Sequence, residues 1–169
     1  TGILLDSFSI TGATTYGIHQ IYFLYTDKST IRNVKSYWLT NSGRPHGIYL
    51  YYSDYNLLDN VIVENGHSNF FLKYSNYNKI ISSSSFTAQF ENYNIQSSAY
   101  NTFVGDLAKG SGVGVYMRYT SDNNNFISMT FDGVSNAIAL YNSPSTTLFS
   151  GIIAKGITGV PIFEGLGTA

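Results

Sequence analysis

The sequence predicts an all-β chain wound as a parallel β-helix, a solenoid of about six to seven coils of 22–23 residues. Three observations carry this. A turn-like motif recurs at near-constant spacing, one large apolar residue follows each copy, and an alternating apolar stretch precedes most of them. The motif reads Thr26-Asp27-Lys28-Ser29, then Ser53-Asp54-Tyr55-Asn56, Ser75-Asn76-Tyr77-Asn78, Ser98-Ala99-Tyr100-Asn101, Ser121-Asp122-Asn123-Asn124 and Ser143-Pro144-Ser145-Thr146. Its first residues lie 27, 22, 23, 23 and 22 positions apart, and the apolar followers are Ile31, Leu58, Ile80, Phe103, Phe126 and Leu148. A lap of that length cannot hold a helix pair, and the leucine spacing of a leucine-rich horseshoe is missing. It does hold three short strands and three turns.

Composition agrees. Glu occurs only at positions 64, 91 and 164, while Tyr, Phe, Ser and Asn abound, which is strand and turn chemistry. The length of 169 residues suits a single domain, 1–169, and the absence of cysteine removes disulfides, thiolate metal sites and cysteine nucleophiles. A net charge of -1 with 11% charged residues leaves no basic stripe for nucleic acid. The longest apolar run, Ile21 to Tyr25, is far too short to span a membrane.

In chain order, Leu5 stands where Leu58 stands in a later lap and Phe8 where Val61 does. The chain therefore opens inside a coil and reads as a fragment of a longer solenoid. The long first interval marks a loop inserted around Asn41-Ser42-Gly43-Arg44-Pro45. Inward pairs of one strand are Ile21/Phe23, Ile48/Leu50, Phe70/Leu72, Tyr93/Ile95, Val115/Met117 and Ile138/Leu140. A second strand supplies Ile31/Val34, Leu58/Val61/Val63, Phe126/Met129/Phe131 and Leu148, with one residue of slack in the fifth coil at Asn123-Asn124-Asn125. Asn56, Asn78, Asn101 and Asn124 share one turn position, where stacked amides both donate and accept. Residues 155–169 are Gly-rich and read as an irregular last coil or tail.

The stretch Gly47-Ile48-Tyr49-Leu50-Tyr51-Tyr52-Ser53-Asp54-Tyr55-Asn56-Leu57-Leu58-Asp59-Asn60-Val61 resembles the right-handed parallel β-helix repeat of pectate-lyase-like proteins, NosD-type periplasmic proteins and phage tailspikes. The resemblance runs from about Leu5 to Ala154 and implies the right-handed sense. It also implies a place outside the cytoplasm: extracellular, on a cell or virion surface, or periplasmic. The paired aspartates with Gly-His-Gly and Arg-Ile-Lys segments of polygalacturonases are not found; Gly66-His67-Ser68 and Arg44-Pro45-His46 are faint echoes.

Three groups of residues are candidate sites. Tyr22, Tyr49 and Phe71 fall in one outward column with Tyr116 two coils further on, and Tyr51 and Tyr141 fall in the next. Tyr22, Tyr49, Tyr51, Phe71 and Tyr116 are the candidate carbohydrate-binding residues, since aromatic faces stack on sugar rings. Exposed tyrosine is equally ordinary on a β-surface. Tyr25, Tyr52 and Tyr74 end the same strands and either join that flank or turn inward as a corner stack. Asp27 and Asp54 occupy equivalent places, able to share calcium or to act as an acid and nucleophile pair, although Asp there is also common turn chemistry. His19 and His46 are 27 residues apart, in step with the motif, and His67 is one residue short of the next step. Three imidazoles so placed are a candidate metal column, the alternative being a plain surface column.

The expected function is a β-helix, extracellular or on a particle surface, that binds polysaccharide along its flank as a segment of a lyase, depolymerase or tailspike. Whether it cleaves is open; an enzyme of this kind would be a polysaccharide lyase or glycoside hydrolase. A non-catalytic solenoid that assembles end to end, into fibres or trimers, is the alternative. A NosD-type metal-handling accessory protein is a further one.

Overall fold

A computed structural model describes residues 2–12, 19–39, 45–110, 112–142 and 146–165. The chain enters through β1 (Leu4–Gly12), β2 (Ile21–Leu24) and β3 (Thr30–Trp38), followed by β4 (Ile48–Tyr51), β5 (Leu57–Asp59) and β6 (Ile62–Glu64). The same three-strand lap repeats as β7 (Ser68–Lys73), β8 (Lys79–Ile81) and β9 (Ser84–Phe86), then β10 (Glu91–Gln96), β11 (Thr102–Val104) and β12 (Leu107–Lys109). It continues through β13 (Val113–Arg118), β14 (Asn125–Ile127), β15 (Thr130–Asp132), β16 (Ile138–Tyr141), β17 (Leu148–Ser150) and β18 (Ile153–Lys155), and closes at β19 (Ile162–Gly165).

Every strand pairs in parallel with its equivalent one lap away, making a solenoid of about six turns. A broad face is the seven-stranded sheet from β2 to β19. Two narrower faces are joined through the long β3, on which β1 stacks. The Gly-rich segment after residue 155 thus supplies β19, which pairs with β16 from Ile138↔Ile162 to Tyr141↔Gly165. The inserted loop at 41–44 lies outside the described residues.

Alternation decides what fills the interior. In β2 and β4 every second side chain is buried, and the ladders Ile21, Ile48, Phe70, Tyr93, Val115, Ile138 and Phe23, Leu50, Leu72, Ile95, Met117 run along the axis. Phe103, Phe126 and Phe149 form a second stack, with ring centroids 4.6 and 4.8 Å apart. Burying each such side chain contributes about 1.5–3 kcal/mol. Leu148 does not join this ladder. Phe149 pairs with Phe126, and Leu148 turns outward at 51% exposure. The fifth coil does take one residue of slack: the broad-face register from Tyr93 to Val115 is 22 residues, and those from Asn101 to Asn124 and from Phe103 to Phe126 are 23. The extra residue falls in the bend before Ser121, whose hydroxyl donates three residues back to Arg118 where that of Ser98 donates two back to Gln96.

The corners explain the residue choice at the turns. Each lap bends where the backbone takes a positive φ, at Tyr25, Tyr52 and Tyr74 after the broad face and at Lys28, Tyr55, Tyr77 and Tyr100 three residues on. A bulky residue is uncommon in that region. Here the tyrosines stack on one another, at 5.2 and 4.8 Å in the first column and 4.9 and 5.0 Å in the second. Tyr25, Tyr52 and Tyr74 therefore face solvent and do not turn inward.

Directly after the second column in each lap comes the polar ladder. Asn78 Oδ1 accepts from the Asn56 N–H at 2.8 Å, Asn101 Oδ1 from Asn78 N–H at 2.8 Å, and Asn124 Oδ1 from Asn101 N–H at 2.9 Å. Each Nδ2 donates to a carbonyl of the preceding lap, at Ser53, Ser75 and Ser98. Ser53, Ser75, Ser98 and Ser121 repeat the device three residues earlier in each lap. Buried backbone groups at the bends are thereby satisfied.

A groove on the broad face and the candidate site residues

The outward side chains of the broad face form columns. One reads Tyr22, Tyr49, Phe71, Asn94, Tyr116, and its neighbour Leu24, Tyr51, Lys73, Gln96, Arg118, Tyr141. The rings of Tyr22, Tyr49 and Phe71 stack on each other at 5.1 and 4.6 Å, with planes 23° and 6° apart. Their flat faces are thus turned along the axis onto one another, and solvent meets mostly their edges. Asn94 interrupts the column, and a groove of about 280 Å³ opens around it, lined by Phe71, Tyr116, Lys73, Glu91, Gln96, Arg118, Ser68, His46 and His67. Phe71, only 7% exposed, forms part of its floor.

The groove lining is an ordered polar network. Ser68 donates to Glu91 Oε2 at 2.7 Å, and Gln96 Nε2 donates to Asn94 Oδ1 at 3.0 Å. Arg118 lies over the rings of Tyr116 and Tyr119, and Lys73 over those of Tyr51 and Tyr74. Burial holds the Tyr116 hydroxyl above its ordinary pKa, with Arg118 opposing. Tyr49 is likewise pushed up by burial and then by the surrounding tyrosines.

The three histidines do meet. His19 and His46 stack at 5.0 Å with planes 15° apart, while His67 is tilted by 57° at 5.6 Å, as its missing residue in the spacing implies. They belong to the aromatic cluster, packed against Tyr49, Phe71 and Phe90. The His46 backbone N–H donates to His19 Nδ1 at 3.2 Å. Burial, then repulsion from His19 and His67, depresses the His46 pKa to about 3, so the ring is neutral at physiological pH; burial also lowers His19.

Asp27 and Asp54 lie on another edge, and their carboxylates serve the turns. Asp27 Oδ1 accepts from the Asp54 N–H at 2.7 Å, and Asp54 Oδ1 from the Asn76 N–H at 2.6 Å. Asn76 continues the ladder to Ala99. Glycoside hydrolysis needs two carboxylates facing one scissile bond. In the groove only Glu91 supplies one.

A buried carboxylate stands elsewhere, at Asp106, which shares a corner position with Ser83 and Met129. Its Oδ1 accepts from the Ser83 N–H at 2.7 Å, whereas Oδ2 is buried without a partner. Burial raises its pKa to about 7, against backbone hydrogen bonds that lower it. The folded pKa exceeds the unfolded one, so the stabilisation is complete below about pH 4 and disappears as pH rises through 7. Asp106→Asn is expected to match the parent near pH 4 and to exceed it at pH 8 by on the order of 2–4 kcal/mol. Urea unfolding at both pH values checks this; parallel stability curves would contradict it.

Stacked parallel strands and side-chain ladders define a single-stranded parallel β-helix, here with a polar groove on its broad flank. The chain belongs to the NosD family, described as periplasmic copper-binding protein (NosD), whose model matches residues 6–165. No curated protein and no solved structure matches the chain. The donor set does not fit a copper centre. Among the described residues no group of three His, Cys, Asp or Glu side chains could hold a metal ion, the three neighbouring histidines included, and the remaining positions hold none of these types. Met117 and Met129 are fully buried in the core. Of the imidazole nitrogens, His19 Nδ1 is occupied by a backbone amide, and His46 Nδ1 is buried without a partner.

Proposed function

We propose that the chain is a glycan-binding β-helix that works outside the cytoplasm, in the periplasm or at a surface, and takes a polysaccharide along its broad face. The groove at Asn94 carries this reading, because an aromatic floor and wall are combined with amides, a hydroxyl and charged groups. That mixture suits a sugar, whose ring is apolar on its faces and hydroxylated at its rim. At about 280 Å³ the groove falls just below the range of about 300–1,000 Å³ usual for small-molecule pockets, so it seats one ring of a longer chain. With Glu91 as its only carboxylate, it supports binding and not hydrolysis.

Calorimetric titration with a panel of oligosaccharides tests the reading. A member of the panel is expected to bind, and Tyr116→Ala to weaken it about tenfold, or ~1.4 kcal/mol, with unchanged thermal stability. A panel that produces no heat, and no chemical-shift change at Phe71 or Tyr116, would refute it.

A further inference from the structure

We infer that the groove selects an anionic sugar ring, with Arg118 and Lys73 holding its carboxylate or sulfate group and the gap at Asn94 seating the ring. This rests on the glycan-binding reading and adds the ligand's charge. The first observation is geometric. The ring column is interrupted for one lap at Asn94, so Phe71 and Tyr116 stand two strand spacings apart, about 9.6 Å, which is room for one ring between them.

The second observation is electrostatic. Lys73 and Arg118 sit in the adjacent column on either side of Gln96. Among the described residues the ion pairs join Arg32 to Asp6, Lys35 to Glu64, and Lys109 and Lys155 to Asp132, none of them in the groove. Lys73 and Arg118 are instead propped on tyrosine rings. The groove's one carboxylate, Glu91, is hydrogen-bonded by Ser68. Two cations therefore face one anion across it.

The third is an orphan donor. Arg118 Nε is buried and has no partner, an arrangement that costs free energy until something accepts its proton. A planar oxyanion matches the guanidinium fork better than any neutral hydroxyl.

The test titrates the intact chain with three probes of equal length: an oligogalacturonate, a sulfated galactan oligosaccharide and a neutral galactan oligosaccharide. An anionic probe is expected to bind at least tenfold tighter than the neutral one, and the two anionic arms show whether carboxylate or sulfate is preferred. Arg118→Gln should remove about tenfold of the anionic affinity and leave neutral binding unchanged. Lys73→Gln should do the same to a smaller extent, and Asn94→Tyr, which restores the ring column, should abolish binding. Equal affinity for neutral and anionic probes, untouched by Arg118→Gln, would overturn the selection while leaving glycan binding intact. No binding of any probe would overturn both.

Discussion

Replacing Asn101 by leucine is expected to lower the unfolding free energy by about 3–5 kcal/mol, the largest effect of any polar substitution in the chain. Asn101 is fully buried. Its Oδ1 accepts from the Asn78 backbone and side chain at 2.8 and 3.1 Å, and its Nδ2 donates to the Ser75 carbonyl at 3.0 Å. Leucine is similar in size but can make none of these bonds. The Asn78 N–H and the Ser75 carbonyl would be left unpaired out of water, at a cost of about 1–3 kcal/mol each. Because the laps are coupled only to their neighbours, the damage is centred on one corner, and hydrogen exchange should accelerate first at Asn78. Urea unfolding measures the total. A loss below about 1 kcal/mol would show that water or an alternative turn replaces the amide.

Phe126→Ala is the matching substitution in the apolar interior. Phe126 is wholly buried between Phe103 and Phe149, so truncation removes two ring contacts and leaves a cavity between laps. The expected cost is about 3–5 kcal/mol. The paired variant with Phe103→Ala should cost less than the sum of the two, because the rings share one contact. Strict additivity in a double-mutant cycle would contradict the stacking.

Much of this was legible in the sequence because a solenoid writes each structural decision several times. The period, the inward pairs and the Asn56–Asn124 ladder each recur at the same offset, so chance matches are diluted. Prediction failed where repetition failed. An offset counted from Ser143 points Leu148 inward, and the ladder in fact keeps step from Phe126 to Phe149. The aromatic column was readable, but the groove was not. It arises from an absent ring at Asn94 and from side chains that differ from lap to lap. A signal for it does exist: Tyr51, Lys73, Gln96 and Arg118 keep the period while changing from aromatic to charged. Asp106 was invisible for a similar reason, since its corner position holds serine in one lap and methionine in another. The histidine spacing indicates two rings in step and a third one residue short, and the three are neighbours, yet spacing alone could not show that they form no group able to hold a metal ion.

All of these sites depend on the lap register, and engineered cross-links test it most directly. The chain has no cysteine, and Lys79 and Thr102 are registered partners on adjacent laps, whereas Asn125 lies one lap beyond. Cα atoms one strand spacing apart, about 4.8 Å, fall within disulfide reach of about 4.4–6.8 Å, and those two spacings apart do not. Under mild oxidation the Lys79→Cys/Thr102→Cys protein should close its disulfide, and the Lys79→Cys/Asn125→Cys protein should keep free thiols. Closure of the second pair in place of the first would contradict the winding on which the ladders and the groove rest.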